Sequence, residues 1–137
     1  MLLDEIGGVL STGGVASSSG PFYLWLGQLP DSTVIPDRAV AILETGGYAP
    51  EARAELDRPT FQVLTRGAAV TAVSTAYEEA RTKAEAVKTA LHALAPGTYS
   101  GRHYGGVWAE QDPIHLGLDD SDRPLFSQNF RAMRSRT

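Results

Sequence analysis

The sequence predicts an α+β domain in which a mixed, mostly antiparallel β-sheet is braced by one long helix and one short N-terminal helix. Three observations lead to this fold. Residues 59–94 hold a short apolar run followed at once by a strongly periodic helical segment. Several other extended runs are separated by glycine and proline. The elements follow the order helix, three strands, helix and further strands, which is typical of an α+β domain.

The N-terminal segment has the apolar spacing of a helix of about twelve residues. Its apolar positions are Leu2, Leu3, Ile6, Val9 and Leu10. Gly7 and Gly8 each cost a helix about 1 kcal/mol relative to alanine, so we expect this helix to depend on packing. Residues 11–20 are rich in serine, glycine and threonine, which predicts a flexible loop.

Two strands are predicted next. Residues 21–30 are framed by prolines and almost continuously apolar, which indicates a strand covered on both faces. After a turn over residues 30–37, residues 38–44 predict a second strand that ends before Gly46 and Gly47. Residues 48–58 are polar and predict a surface loop with room for one helical turn.

The central strand and the long helix give the clearest signals. Residues 61–66 are rich in β-branched and aromatic residues and stop at Gly67. After a connection over residues 67–74, a helix over residues 74–94 is predicted by apolar residues at alternating steps of three and four. These residues are Tyr77, Ala80, Ala84, Val87, Leu91 and Leu94. Pro96 and Gly97 end the pattern.

The C-terminal third predicts short strands over residues 104–110, 114–118 and 125–134, with an acidic turn over residues 119–122. In the last strand Phe126, Phe130 and Ala132 share one face. Ser127, Asn129 and Arg131 share the other face. The first face is predicted to be core, and the second is predicted to be available to a partner.

Composition limits the function classes. The 137 residues are 42% hydrophobic and 20% charged, which predicts one globular domain over residues 1–137. No apolar run approaches the roughly 20 residues of a membrane span, so no membrane partner is expected. The net charge of -4 argues against non-specific DNA binding. The amino terminus lacks the basic residue and apolar core of a secretory signal, so we expect synthesis in the cytoplasm.

One chemical alternative comes from the clustered carboxylates Asp119, Asp120 and Asp122. Together with His115 they suggest a small metal-dependent hydrolase, because hard cations prefer oxygen ligands. The run continues with Arg123 and Pro124 instead of an EF-hand pattern, so a turn whose aspartates bind local amides is the simpler interpretation. No nucleophile elbow, phosphate loop or dinucleotide motif is present, and neither an enzyme nor a cofactor is expected.

Several features together resemble the tail terminator proteins of long-tailed bacteriophages, also called minor capsid or tail-completion proteins. They are the N-terminal helix, the Phe-Gln-Val-Leu-Thr-Arg-Gly strand over residues 61–67, the helix over residues 77–94, and a closing pattern of Leu116-Gly117-Leu118-Asp119-Asp120, Arg123, Phe126-Ser127 and Asn129-Phe130. The order and spacing match over most of the chain. Residues 11–20 and the arginine-rich end do not map onto the family.

The resemblance implies a structural virion protein at the neck of the phage, with no catalytic role. Such a protein forms a homo-oligomeric ring, most often a hexamer, that stops polymerisation of the tail tube and joins the tail to the head-tail connector protein. Its partners would be copies of itself, the tail tube protein and the connector, with DNA only as passing cargo. A head-completion adaptor or a tube subunit is the alternative.

The candidate subunit-contact residues come from the acidic turn and the polar face of the last strand. They are Asp119, Asp120, Asp122, Arg123, Ser127, Asn129 and Arg131. A role for Arg123 in the core, paired with a neighbouring aspartate, is the alternative for that residue.

Overall fold

A computed structural model describes residues 1–30, 36–49 and 56–136. In these residues the chain forms two helices and eight strands. They are α1 (Leu2–Thr12), β1 (Tyr23–Leu26), β2 (Ala39–Gly47), β3 (Leu56–Asp57), β4 (Pro59–Arg66), α2 (Ala76–Leu91), β5 (Gly97–Tyr99), β6 (Arg102–Ala109), β7 (Ile114–Leu118) and β8 (Pro124–Ser135). Parts of the turn predicted over residues 30–37 and of the loop predicted over residues 48–58 lie outside the described residues.

The strands form one mixed sheet in the order β1-β2-β4-β8-β6-β5, with β3 and β7 also paired to β8. β1 runs parallel to β2, and the other strand pairs of the described sheet are antiparallel. β8 is the longest strand and lies at the centre, bonded to β3, β4, β6 and β7. The predicted α+β fold with a mixed, mostly antiparallel sheet is confirmed.

Both helices cover the same face of the sheet. Val40 and Ile42 of β2, Phe61 of β4 and Phe130 of β8 are buried in one apolar cluster with the inner residues of α1 and α2. Phe61 and Phe130 are cross-strand partners whose rings stack with centroids 5.3 Å apart. Truncating either ring to alanine would cost about 3–5 kcal/mol, so this pair holds the sheet centre together. Neither described helix is long and apolar enough to cross a bilayer.

Alanines allow α2 to lie close to the sheet. Ala76, Ala80 and Ala84 are buried, and a Cβ on Gly67 would lie 2.9 Å from the Cβ of Ala80. Tyr77 was predicted to be part of the buried stripe, but it is 40% exposed because Ala76 occupies the inward position instead.

The end of α2 also differs from the prediction. The helix stops at Leu91 because His92 is extended and Ala93 has a φ of 58°. The N–H of Ala93 then bonds to the carbonyl oxygen of Val107 on β6.

The first strand and the loop before it also differ from the sequence expectation. β1 has only four residues and is a half-buried edge strand, since the helices cover one face of the sheet alone. The segment over residues 11–20, expected to be a flexible loop, is packed onto the domain. α1 extends to Thr12, Ala16 is buried, and the ammonium group of Lys83 donates a 2.9 Å hydrogen bond to the carbonyl of Val15.

A charged group is buried where α1 meets the sheet. The carboxylate of Glu5, 3% exposed, accepts hydrogen bonds from Tyr104 Oη at 2.6 Å and from Arg134 at 2.7 Å. Arg102 lies 3.9 Å away and the amino group of Met1 3.1 Å away. Burial alone would raise the pKa of Glu5, but the hydrogen bonds outweigh it and the pKa is lowered. This cluster links α1 to β6 and β8.

Candidate interaction surfaces

The predicted acidic turn forms through hydrogen bonds of Asp119. One carboxylate oxygen accepts the backbone N–H groups of Ser121 at 3.0 Å and Arg123 at 2.9 Å, and the other accepts Arg123 Nε at 2.8 Å. Burial opposes ionisation of Asp119, but its bonds to Arg123 and Ser121 lower its pKa. The carboxylate is therefore used to shape the turn.

Two buried arginines hold this turn and the start of β2 at one end of the sheet. Arg123, 2% exposed, also pairs with the carboxylate of Asp37 at 3.2 Å. Arg66, likewise 2% exposed, donates to the carbonyl oxygens of Asp37 at 2.8 Å, Pro36 at 3.2 Å and Pro30. We call Arg66 and Arg123 the arginine latch. The guanidinium of Arg123 thus binds neighbouring aspartates inside the domain, and it is not exposed for a second subunit.

The polar face of β8 is only partly exposed. Ser127 was expected to face a partner, but it is 5% exposed and bonds to Gln62 at 2.8 Å across the β4–β8 pair. Asn129 is half-buried. Arg131 is exposed and its guanidinium lies over the ring of Trp108, 5.6 Å from the centroid. Of the predicted contact residues, Asp120, Asp122 and Arg131 are exposed, and Asp119 and Asn129 are partly exposed.

The hydrolase alternative finds no ligand set in the structure. Asp119 is occupied within its own turn, and the ring of His115 packs against Tyr77 and Phe126 with centroids 4.9 and 5.0 Å apart. Across residues 1–30, 36–49 and 56–136, no group of three or more His, Asp or Glu side chains is arranged to hold a metal ion. Asp119 thus shapes its own turn, as the simpler interpretation of the clustered aspartates predicted.

Among the described residues, the edge strand β7 carries three exposed large apolar side chains, and sequence reasoning missed it as a contact surface. Ile114, Leu116 and Leu118 are 49%, 54% and 50% exposed. β7 pairs with β8 alone within the described sheet. A bulge between His115 and Gly117 leaves Leu116 without a partner in the ladder. The alternating apolar residues of β7 resemble those of any half-buried strand, so their exposure could not be predicted from the sequence.

A second surface lies on the sheet face opposite the helices. A depression of about 290 Å³ is lined there by Tyr48, Arg58, Trp108, Arg131, Ala132 and Met133. Trp108 and Arg131 are cross-strand partners in the β6–β8 pair, which sets their cation–π contact. We call this surface the aromatic–arginine depression. It combines aromatic rings with guanidinium groups, the residue types enriched in protein interfaces.

Comparisons with known proteins agree with this architecture. No curated protein matches the chain. A chain of a solved structure titled as the virion of a native gene transfer agent particle shares the fold, with a TM-score of 0.61 and 16% identity over 93% of this chain and 84% of the other. A second solved structure has a TM-score of 0.46 and 12% identity over 80% of this chain and 77% of the other. The family model described as bacteriophage tail terminator protein matches residues 8–135. The chain therefore belongs to the family of bacteriophage tail terminator proteins.

Proposed function

We propose that this protein is a structural component of a phage tail. It forms a closed ring of six subunits at the head-proximal end of the tail tube, stops tube polymerisation and joins the tail to the head connector. Family membership over residues 8–135 supports the assignment to the tail. The fold shared with a chain of a gene transfer agent virion supports a place in the particle.

The observation that carries the ring proposal is the exposed apolar edge of β7. Three large aliphatic side chains, each about half exposed, lie side by side on one short strand. Soluble monomers rarely expose contiguous apolar patches larger than a few hundred Å², and larger patches commonly mark interaction sites. An interface between subunits would remove this surface from water.

The charge of the protein fits a ring through which DNA passes. The net charge of -4 gives DNA no general attraction to the subunit, so phosphates moving through a lumen would not be retained by counterion release. The buried Glu5 cluster and the arginine latch fix both ends of the sheet. Each subunit would therefore act as a rigid block whose contacts are made by its surfaces.

Light scattering of the protein alone and with its tail tube protein tests the proposal. We expect a closed ring, in solution or on the end of assembled tubes, and tubes of limited length when the protein is added during polymerisation. Electron microscopy of intact particles should place the chain at the junction of tail and head. A location within the capsid would indicate a head-completion adaptor, and a location along the tube would indicate a tube subunit; either result would overturn the proposal.

A further inference from the structure

We propose that adjacent subunits meet head to tail, with Leu116 on the β7 edge of one copy seated in the aromatic–arginine depression of the next copy. The inference rests on the proposed ring, and it names the two surfaces that form the contact between its subunits. Neither surface is covered by any described part of the same chain.

The β7 edge is suited to inserting a side chain. Edge strands with regular ladders can add a further strand, but a bulge interrupts the ladder and redirects the chain. In β7 the bulge lies between His115 and Gly117, and Gly117 has a φ of 99°, which favours glycine. Leu116 consequently has no partner in the ladder, and it is the most exposed large apolar side chain of the strand, at 54%. We call this side chain the apolar knob.

The depression offers a matching receptor for that knob. Its volume of about 290 Å³ accommodates a leucine side chain, and Trp108 and Met133 supply apolar wall. Tyr48, at its rim, is 50% exposed. Aromatic rings that become buried on association are typical of the residues that dominate binding energy.

The charges around the two surfaces are opposite. Residues 112–122, which contain β7, include four carboxylates and neither lysine nor arginine; Asp112 pairs with Lys88, and Asp119 pairs with Arg123. Asp120 and Asp122 are exposed and make no ion pair with any described residue. Arg58 and Arg131 line the depression, and the carboxylate of Glu110 lies 3.4 Å from the hydroxyl of Tyr48 at its rim.

This complementarity selects the head-to-tail arrangement. Two β7 edges facing each other would bring like charges together, which costs association free energy. A β7 edge against a depression brings carboxylates to guanidinium groups instead. The occupant of the depression is accordingly a second copy of this chain.

The two surfaces are also placed so that the contact can repeat. β7 pairs with residues 124–127 of β8, while Arg131 and Met133 of the depression lie further along the same strand. At about 3.4 Å per residue this separates them by roughly 20 Å. A contact between two different patches propagates from subunit to subunit and closes into a ring when the rotation allows it.

Disulfide cross-linking tests the contact directly, because the chain contains no cysteine of its own. Leu116→Cys and Met133→Cys variants are purified, mixed in equal amounts and oxidised mildly, and the dimers are identified by mass spectrometry. We expect the mixed 116–133 dimer to exceed each symmetric dimer by at least fivefold. An Arg81→Cys variant on the exposed side of α2 serves as the matched control and should give only background. A predominant 116–116 dimer, or a 116–133 yield equal to the control, would overturn the inference.

Complementation between broken surfaces gives an independent measurement. Leu116→Asp removes the knob and Trp108→Ala removes a wall of the depression, and circular dichroism establishes that both variants fold. Each variant alone should fail to form rings, while their mixture should give dimers joined by the one intact pair of surfaces. Rings formed on tubes by either variant would refute this contact and leave the proposed function standing. Cross-linked 116–133 dimers from a protein that never forms rings on tubes would instead refute the ring.

Discussion

Replacing Glu5 with glutamine tests the buried charge cluster that links α1 to the sheet. The substitution keeps the shape of the side chain but removes the negative charge that faces Arg134 and Arg102, which are 14% and 22% exposed. Breaking a buried ion pair by removing one partner costs about 3–5 kcal/mol. The two arginines retain some hydration, so we expect the lower end, a loss of about 3 kcal/mol at pH 7.

Urea unfolding followed by circular dichroism measures this loss. At about 3–5 °C per kcal/mol for a domain of this size, the melting temperature should also fall by about 9–15 °C. Asp4 is exposed on the same helix, so Asp4→Asn removes a charge without entering the cluster and should change stability by less than about 0.5 kcal/mol. A Glu5→Gln variant within about 1 kcal/mol of the parent protein would refute the assignment.

The pH dependence gives a second criterion for Glu5. Its pKa in the folded protein lies below the ordinary value of 4.5, so its contribution is present above about pH 4.5 and is lost as the pH falls through the folded pKa. The stability difference between the parent and Glu5→Gln should therefore narrow as the pH is lowered from 5 toward 3. A difference that stayed constant over this range would show that the charge of Glu5 is not the cause.

Three further substitutions test the interior. Gln128 is 1% exposed, and neither end of its amide has a hydrogen-bond partner in the described residues. Replacing it with leucine should therefore raise the free energy of unfolding, measured in urea, by about 1–2 kcal/mol. A destabilised Gln128→Leu variant would show that the amide does have hydrogen-bond partners. Arg123→Met leaves Asp119 without its buried counter-charge and should lower the free energy of unfolding by about 2 kcal/mol at pH 7. The loss measured by urea titration should be smaller below pH 3.8, because the bonds from Arg123 hold the pKa of Asp119 below that value. An equal loss at pH 3 and pH 7 would contradict the role of charge. Gly67→Ala places a Cβ 2.9 Å from that of Ala80, so it should lower the free energy of unfolding by about 1–3 kcal/mol and the melting temperature by several degrees. An unchanged melting temperature would mean that α2 can move away from the sheet without loss of stability.

The elements that could be predicted from the sequence are those whose own residues determine them. β4 and the long helix are marked by local apolar spacing and by clear breakers, and they were found within a few residues of their observed ends. The end of α2 was missed because it is set by a hydrogen bond between Ala93 and Val107, which are distant in the sequence. β3 and β5, with two and three residues, are too short to produce a periodic signal.

The candidate surfaces were harder to predict, because exposure depends on which strands become neighbours. Alternation along β8 correctly grouped Ser127 with Arg131 on one face, but Ser127 is buried by Gln62 from β4 while Arg131 stays exposed. The acidic turn was recognisable from local side-chain chemistry. The exposure of Leu116 was not, since it follows from the position of β7 at an edge of the sheet.

The central position of β8 has a consequence for how the protein is made. The strand that joins β3, β4, β6 and β7 is also the last of the described elements to leave the ribosome, so the sheet cannot close until synthesis has passed residue 135. A nascent chain therefore lacks the β8 residues that form one wall of the aromatic–arginine depression. The depression is complete only after translation of β8 has finished.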